Sequence, residues 1–266
     1  RKQNDKKKFV KEKKVNEKLA VKGWNIQIEK SSGILTGTTK FYNLTLKHYN
    51  SQNIDIDIAT VNFGFIESFF GNVTFDLISI EGLSGDVDYL WENKMSEEIQ
   101  QNPFHFPFFV KSFFIEGDIS SVINNNSFNL DLKMGGEIIG GSKPIIHFDL
   151  LKLSIPDNKG LIIDMRSLVF GKNGKDYYMN NLNGTVMGYP VNGSLIFNND
   201  LPLLVGNMMV YDLTIPEELF KRLPLQNKFS SFHIKFDFES DLNNFDGKMI
   251  LVNDLGLDMH GEFLIQ

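Results

Sequence analysis

Residues 53–65 read NIDIDIATVNFGF: Ile54, Ile56 and Ile58 alternate with Asp55 and Asp57, and a second alternation runs through Val61, Phe63 and Phe65. A repeat of two belongs to an extended strand, whose successive side chains point to opposite faces of a sheet; a helix would need 3.6. The same pattern recurs at 26–28, 41–46, 73–77, 128–134, 146–150, 161–165, 232–238 and 257–265. Turn signals separate the runs, among them Ser31-Ser32-Gly33, Gly140-Gly141, Gly171-Lys172-Asn173-Gly174 and Asn192-Gly193. Short strands with short joins, and no regular helical period between them, predict an all-β fold laid out as an antiparallel meander.

Three segments predict helices. Residues 5–21 are rich in Lys and Glu with a weak apolar stripe, 96–101 start on Ser96 followed by two Glu, and 215–223 place Pro216 first and end before Pro224. The expected organisation is a basic helical lead-in at 1–22, a first β segment at 23–91, a helical or loop connection at 92–103 and a continuing β segment at 104–266.

Charge narrows the partners. The net charge of −6 hides ten Lys or Arg against Asp5, Glu12 and Glu17 in residues 1–22, a local +7 that leaves −13 on the other 244 residues. An acidic body is a poor groove for nucleic acid. The basic head, with Lys6, Lys7, Lys8, Lys11, Lys13 and Lys14, suits an anionic membrane surface, or else a solvated helix. No run of 18 apolar residues is present to span a bilayer as a helix, and the absence of cysteine removes disulfides and thiolate chemistry. The chain opens without Met, so an upstream segment is expected.

Catalysis has no visible address. Asp55 and Asp57 point the same way with Cα atoms roughly 6.5–7 Å apart, but a wet strand face produces that pair automatically, and Phe236-Asp237-Phe238-Glu239 repeats it. The five histidines, His48, His105, His147, His233 and His260, have no helical metal spacing, and the Gly135-Gly136 and Gly140-Gly141 pairs open no helix. Neither a metal nor a cofactor is expected. The aromatic run through Phe104, Phe106, Phe108, Phe109, Phe113 and Phe114 is read as packing beneath a sheet or as the lining of an apolar cavity.

Two stretches, IQIEKSSGILTGTTKFYNLTLKH and IDIDIATVNFGFIESFFGNVTFDLISIEGLSGDVDYL, together with NNFDGKMILVNDLGLDMHGEF near the end, resemble the AsmA-like and TamB-like proteins of double-membraned bacteria. The similar features are Ile26-Ile28, Gly33-Gly37, Leu44-Leu46, the alternating run from Ile54, Phe69-Phe70-Gly71, and the strand from Ile78 to Leu83. The resemblance implies a long curved antiparallel sheet folded into an apolar trough, anchored to the inner membrane by a segment upstream and facing the periplasm. It further implies non-enzymatic binding and transfer of phospholipid or another diacyl lipid between inner and outer membranes. The expected groove residues are Ile54, Ile56, Ile58, Phe63, Phe75, Phe128, Leu130, Leu132, Phe148, Phe232, Ile234, Phe236 and Met259. Asp55 and Asp57 would then keep the outside wet. An assembly factor that offers sheet edges to an outer-membrane protein is the alternative, and a plain β-sandwich binding module is a third reading. A closed sandwich core would use the same residues.

Overall fold

Alternation along the chain becomes strands wherever one face has apolar neighbours to pack beside. The structure, a computed structural model, describes residues 24–34, 37–48, 53–69, 73–86, 108–123, 126–141, 143–155, 161–174, 176–198, 203–213, 232–240, 245–253 and 258–265. These form fourteen strands: β1 (Trp24–Gly33), β2 (Thr38–His48), β3 (Asn53–Phe63), β4 (Val73–Asp86), β5 (Phe108–Ile123), β6 (Asn126–Ile139), β7 (Ile145–Ile155), β8 (Leu161–Asn173), β9 (Asp176–Val186), β10 (Tyr189–Asn198), β11 (Leu203–Leu213), β12 (Phe232–Ser240), β13 (Phe245–Asn253) and β14 (Asp258–Ile265). A single helical turn, α1 (Phe65–Phe69), closes the β3–β4 join. There the Gly64 N–H donates to the Thr74 carbonyl (2.9 Å) and the Thr74 N–H donates to Ser68 Oγ (2.9 Å).

The fold is all-β, as the alternation predicts, and each of the nine alternating runs overlaps a strand. The helices expected at 5–21, 96–101 and 215–223, the 92–103 connection and the basic side chains from Lys6 to Lys14 lie outside the described residues. Asn192-Gly193, read as a turn, sits instead in the middle of β10.

Contacts divide the chain into two compact units, Arg1–Pro144 with Lys152–Gly160, and Ile145–Leu151 with Leu161–Gln266, so β7 contributes to both. In the first unit the strand order is β1-β2-β3-β4-β5-β6. Every pair there is antiparallel except β4–β5, which is parallel. That pair corrects the expected meander: a parallel neighbour cannot be reached by a tight turn and needs a crossover of a dozen or more residues. The long interval between Asp86 and Phe108 provides one. In the second unit β8 to β14 follow in chain order, antiparallel throughout.

Candidate functional site

Residues directly opposite on neighbouring strands project from the same face, so the register shows which side chains form continuous rows across the strands. In the first unit one row runs Ile28, Leu44, Ile56, Leu83, Gly117, Leu132 from β1 to β6, and the next runs Ile26, Leu46, Ile54, Gly85, Ile119, Leu130. Four of the expected groove residues, Ile54, Ile56, Leu130 and Leu132, thus share one apolar face. Phe128 follows two residues before Leu130 on β6, opposite Ser121.

Ile58 leaves that row. The apolar cluster around Leu44, Ile56 and Ala59 takes in Phe41, Ile80 and Leu83, so it steps from 56 to 59, from 44 to 41 and from 83 to 80. Each step is an odd number of residues, and an odd step keeps the same face only if the alternation slips once. The slip falls on the row Asn43, Asp57, Gly82, where Asn43 (φ 48°) and Gly82 (φ 66°) are left-handed. Ile58 consequently pairs with Tyr42 and Glu81, and Tyr42 lies beneath the Lys30 ammonium, 5.4 Å from its ring centre. Phe63 and Phe75 do meet: with Phe108 they make a chain of edge-to-face rings at 5.8 and 5.9 Å.

The second unit carries a longer row. It runs Met165, Gly184, Val191, Val210, Ile234, Leu251, Met259 across the seven strands β8 to β14. Beside it lies Leu182, Gly193, Met208, Phe236, Met249, Gly261. Ile234 and Phe236 stand on these two rows, Met259 is registered opposite Leu251, and Phe232 is two residues before Ile234 on the same strand. Phe148 is half-buried on β7. At a strand spacing of about 4.8 Å, seven strands make an apolar track of roughly 29 Å. Missing from the expected set are Val191, Met208, Val210, Met249 and Leu251, because β10, β11 and β13 show no clean alternation.

Depth of burial distinguishes an open face from a closed core. Among the described residues the buried apolar side chains include Leu44, Ile56, Ala59, Val110, Phe113, Leu132 and Pro144 in the first unit, and Met165, Leu168 and Val191 in the second, with Val110 and Pro144 the deepest. Met208, Val210, Ile234, Phe236, Met249 and Leu251 are only half-buried. A second layer packed on that face would bury such side chains almost completely.

The polar side chains opposite these rows include several that are paired. Thr45 Oγ1 donates to Asp55 Oδ1 (2.6 Å), the Asp57 carboxylate lies over Gly82, and the Asn43 amide donates to Glu29. Lys111–Asp76 (2.8 Å), Lys133–Glu116 (3.3 Å) and Lys235–Asp237 (2.9 Å) are exposed ion pairs. No group of three or more His, Asp or Glu placed to hold a metal ion occurs among the described residues, and none of their helices is long and apolar enough to cross a membrane. Compared with family models, with curated proteins and with solved structures, the chain has no match.

Proposed function

We propose that the chain is a non-enzymatic lipid-binding and lipid-conducting segment, with the apolar rows as its working surface. The observation that carries this reading is the row of the second unit, apolar across seven strands, interrupted only by Gly184 and half-buried at Val210, Ile234 and Leu251. An acyl chain needs a continuous, non-directional apolar surface, and each buried CH₂ contributes roughly 0.8 kcal/mol. One leaflet of a bilayer is about 15 Å of hydrocarbon, so the track is long enough to hold a chain and pass it along. No step in such transport needs a catalytic group.

In the fuller form of the proposal the sheet curves into a trough in the periplasm, tethered at the inner membrane. Residues 1–22 are held there electrostatically by their charge of +7, and phospholipid or another diacyl lipid moves toward the outer membrane. The resemblance to AsmA-like and TamB-like sequences supports this placement. Phe236→Asp tests it, because a carboxylate in the middle of the row interrupts the acyl path while remaining within reach of water. Native mass spectrometry of wild type should show bound diacyl lipid, and the variant should lose most of it at nearly unchanged melting temperature. A wild-type protein that carries no lipid and takes up none from fluorescent phospholipid vesicles would overturn the proposal.

A further inference from the structure

The polar side of the second unit holds an uncharged concavity of about 750 Å³ across β8 to β11. A bulge makes it. Leu182 stands opposite Gly193 and Met179 opposite Leu195, so Asn180 and Asn181 together face the one position of Ser194, with Asn181 left-handed (φ 54°). The extra residue bends β9 and re-aims both amides. Asn207, opposite Ser194, donates its amide to Ser194 Oγ (3.0 Å), and Asn192, opposite Asn183, donates to the Tyr211 hydroxyl. Asn181, Asn183, Asn192 and Asn207 are all exposed.

At one end lies an aromatic platform. Tyr178 pairs with Gly171 on β8, and the far end of its ring occupies the space that a Cβ on Gly171 would fill. The ring therefore rests across the neighbouring strand and lines the concavity. No charged residue does. Further along, a second concavity over β10 to β14 is bordered by Asp237, Glu239, Asp246, Lys248 and Glu262, the ordinary dress of a solvated sheet.

We infer that the Asn-rich concavity is a binding site for a neutral oligosaccharide. Amide and hydroxyl groups offer donors and acceptors in the mixed pattern that sugar hydroxyls require, and an aromatic face packs against the apolar C–H face of a pyranose ring. A charged ligand would meet no counter-charge, and the absence of Lys and Arg excludes a nucleic-acid backbone. The sugar is either a free glycan or the neutral headgroup of a glycolipid. This inference goes beyond the lipid track and does not depend on it, since Asn183, Asn192, Ser194 and Asn207 alternate along their strands with Gly184, Val191, Gly193 and Met208 and so project from the other side.

Calorimetric titration with tetra-N-acetylchitotetraose tests the free form, and phosphatidylcholine vesicles with and without monogalactosyl diacylglycerol test the headgroup. Wild type should bind the tetrasaccharide, or the glycolipid vesicles in preference to the plain ones. Tyr178→Ala should weaken that binding about tenfold and Asn183→Ala about threefold, whereas Tyr178→Phe and Phe236→Asp should leave it within about twofold. Circular dichroism checks the fold of each variant, and exposed Asn183 keeps the test valid if Tyr178→Ala does not fold. Failure to bind either probe, or binding equally strong in Tyr178→Ala and Asn183→Ala, overturns the inference.

Discussion

In the first unit Ile56 and Leu132 are 7% and 8% exposed while Ile28 and Leu83 on the same row stay half-buried; in the second, Met165 and Val191 are 4% and 3% exposed while Val210, Ile234 and Leu251 stay half-buried. Both rows come from the same two-residue repeat. What differs is the filling. Branched Ile and Leu dominate the first, with Gly117 and Gly85 as gaps, while the apolar side of the second adds Met and Phe to Val, Ile and Leu and carries Gly184, Gly193, Gly206, Gly247 and Gly261. A glycine leaves its place in the row empty, and neighbours lean into it: Leu195 and Phe238 both reach over Gly206. The repeat decides which side of a sheet is apolar. How neighbouring side chains fill the places beside each member of a row decides how deeply it is buried.

The largest test of this contrast is one charge placed in each unit. Ile56→Asp buries a carboxylate without a partner and should destabilise the first unit by about 3–5 kcal/mol. Met208→Asp, in a half-open row that water can reach, should cost less than half of that. Urea unfolding followed by hydrogen exchange at strand resolution separates the two; equal losses would mean that the rows are equally closed. A smaller effect is expected at the slip that turns Ile58 away. Gly82→Ala places a side chain in a left-handed position and against the Asp57 carboxylate, for a loss of roughly 1–2 kcal/mol. Adding Asp57→Ala should return part of it in a double-mutant cycle, and no recovery would show that backbone strain alone is responsible. The smallest concerns the polar face: Lys111→Ala removes the exposed pair with Asp76 and should cost under about 1 kcal/mol, less still in high salt. A larger, salt-independent loss would give the wet side a structural role.

Much of this architecture is legible in the chain. Ile54 and Ile56, Leu130 and Leu132, and Ile234 and Phe236 can be put on apolar rows from alternation alone, because their strands run several residues without a slip. Ile58 cannot, since nothing in IDIDIAT announces that Asn43 and Gly82, distant in sequence, break the period on either side of it. β5 hides for a related reason: Lys111 and Ser112 are exposed together between buried Val110 and Phe113, a bulge that erases the repeat. β9, DYYMNNLNGTV, shows no alternation because Asn180, Asn181 and Asn183 interrupt it and its bulge falls in the middle. β11, LLVGNMMVYDL, is too uniformly apolar to show a period. Strand pairing itself, and above all the parallel β4–β5 join, depends on residues far apart in the chain and has no local signature.

Among the described residues a strand within each unit hydrogen-bonds only to its predecessor and successor in the chain, so the strands are connected like a ladder with rungs in one direction. Stability in such an array is close to a sum over adjacent pairs, without a centre on which the whole depends. Losing one strand then weakens chiefly its two neighbours, so protection against hydrogen exchange follows the local strand pairs rather than one shared centre. The same arithmetic applies to evolution of length. A hairpin gained or lost changes the extent of the apolar surface by two strands, about 10 Å, and leaves the remaining rows in register.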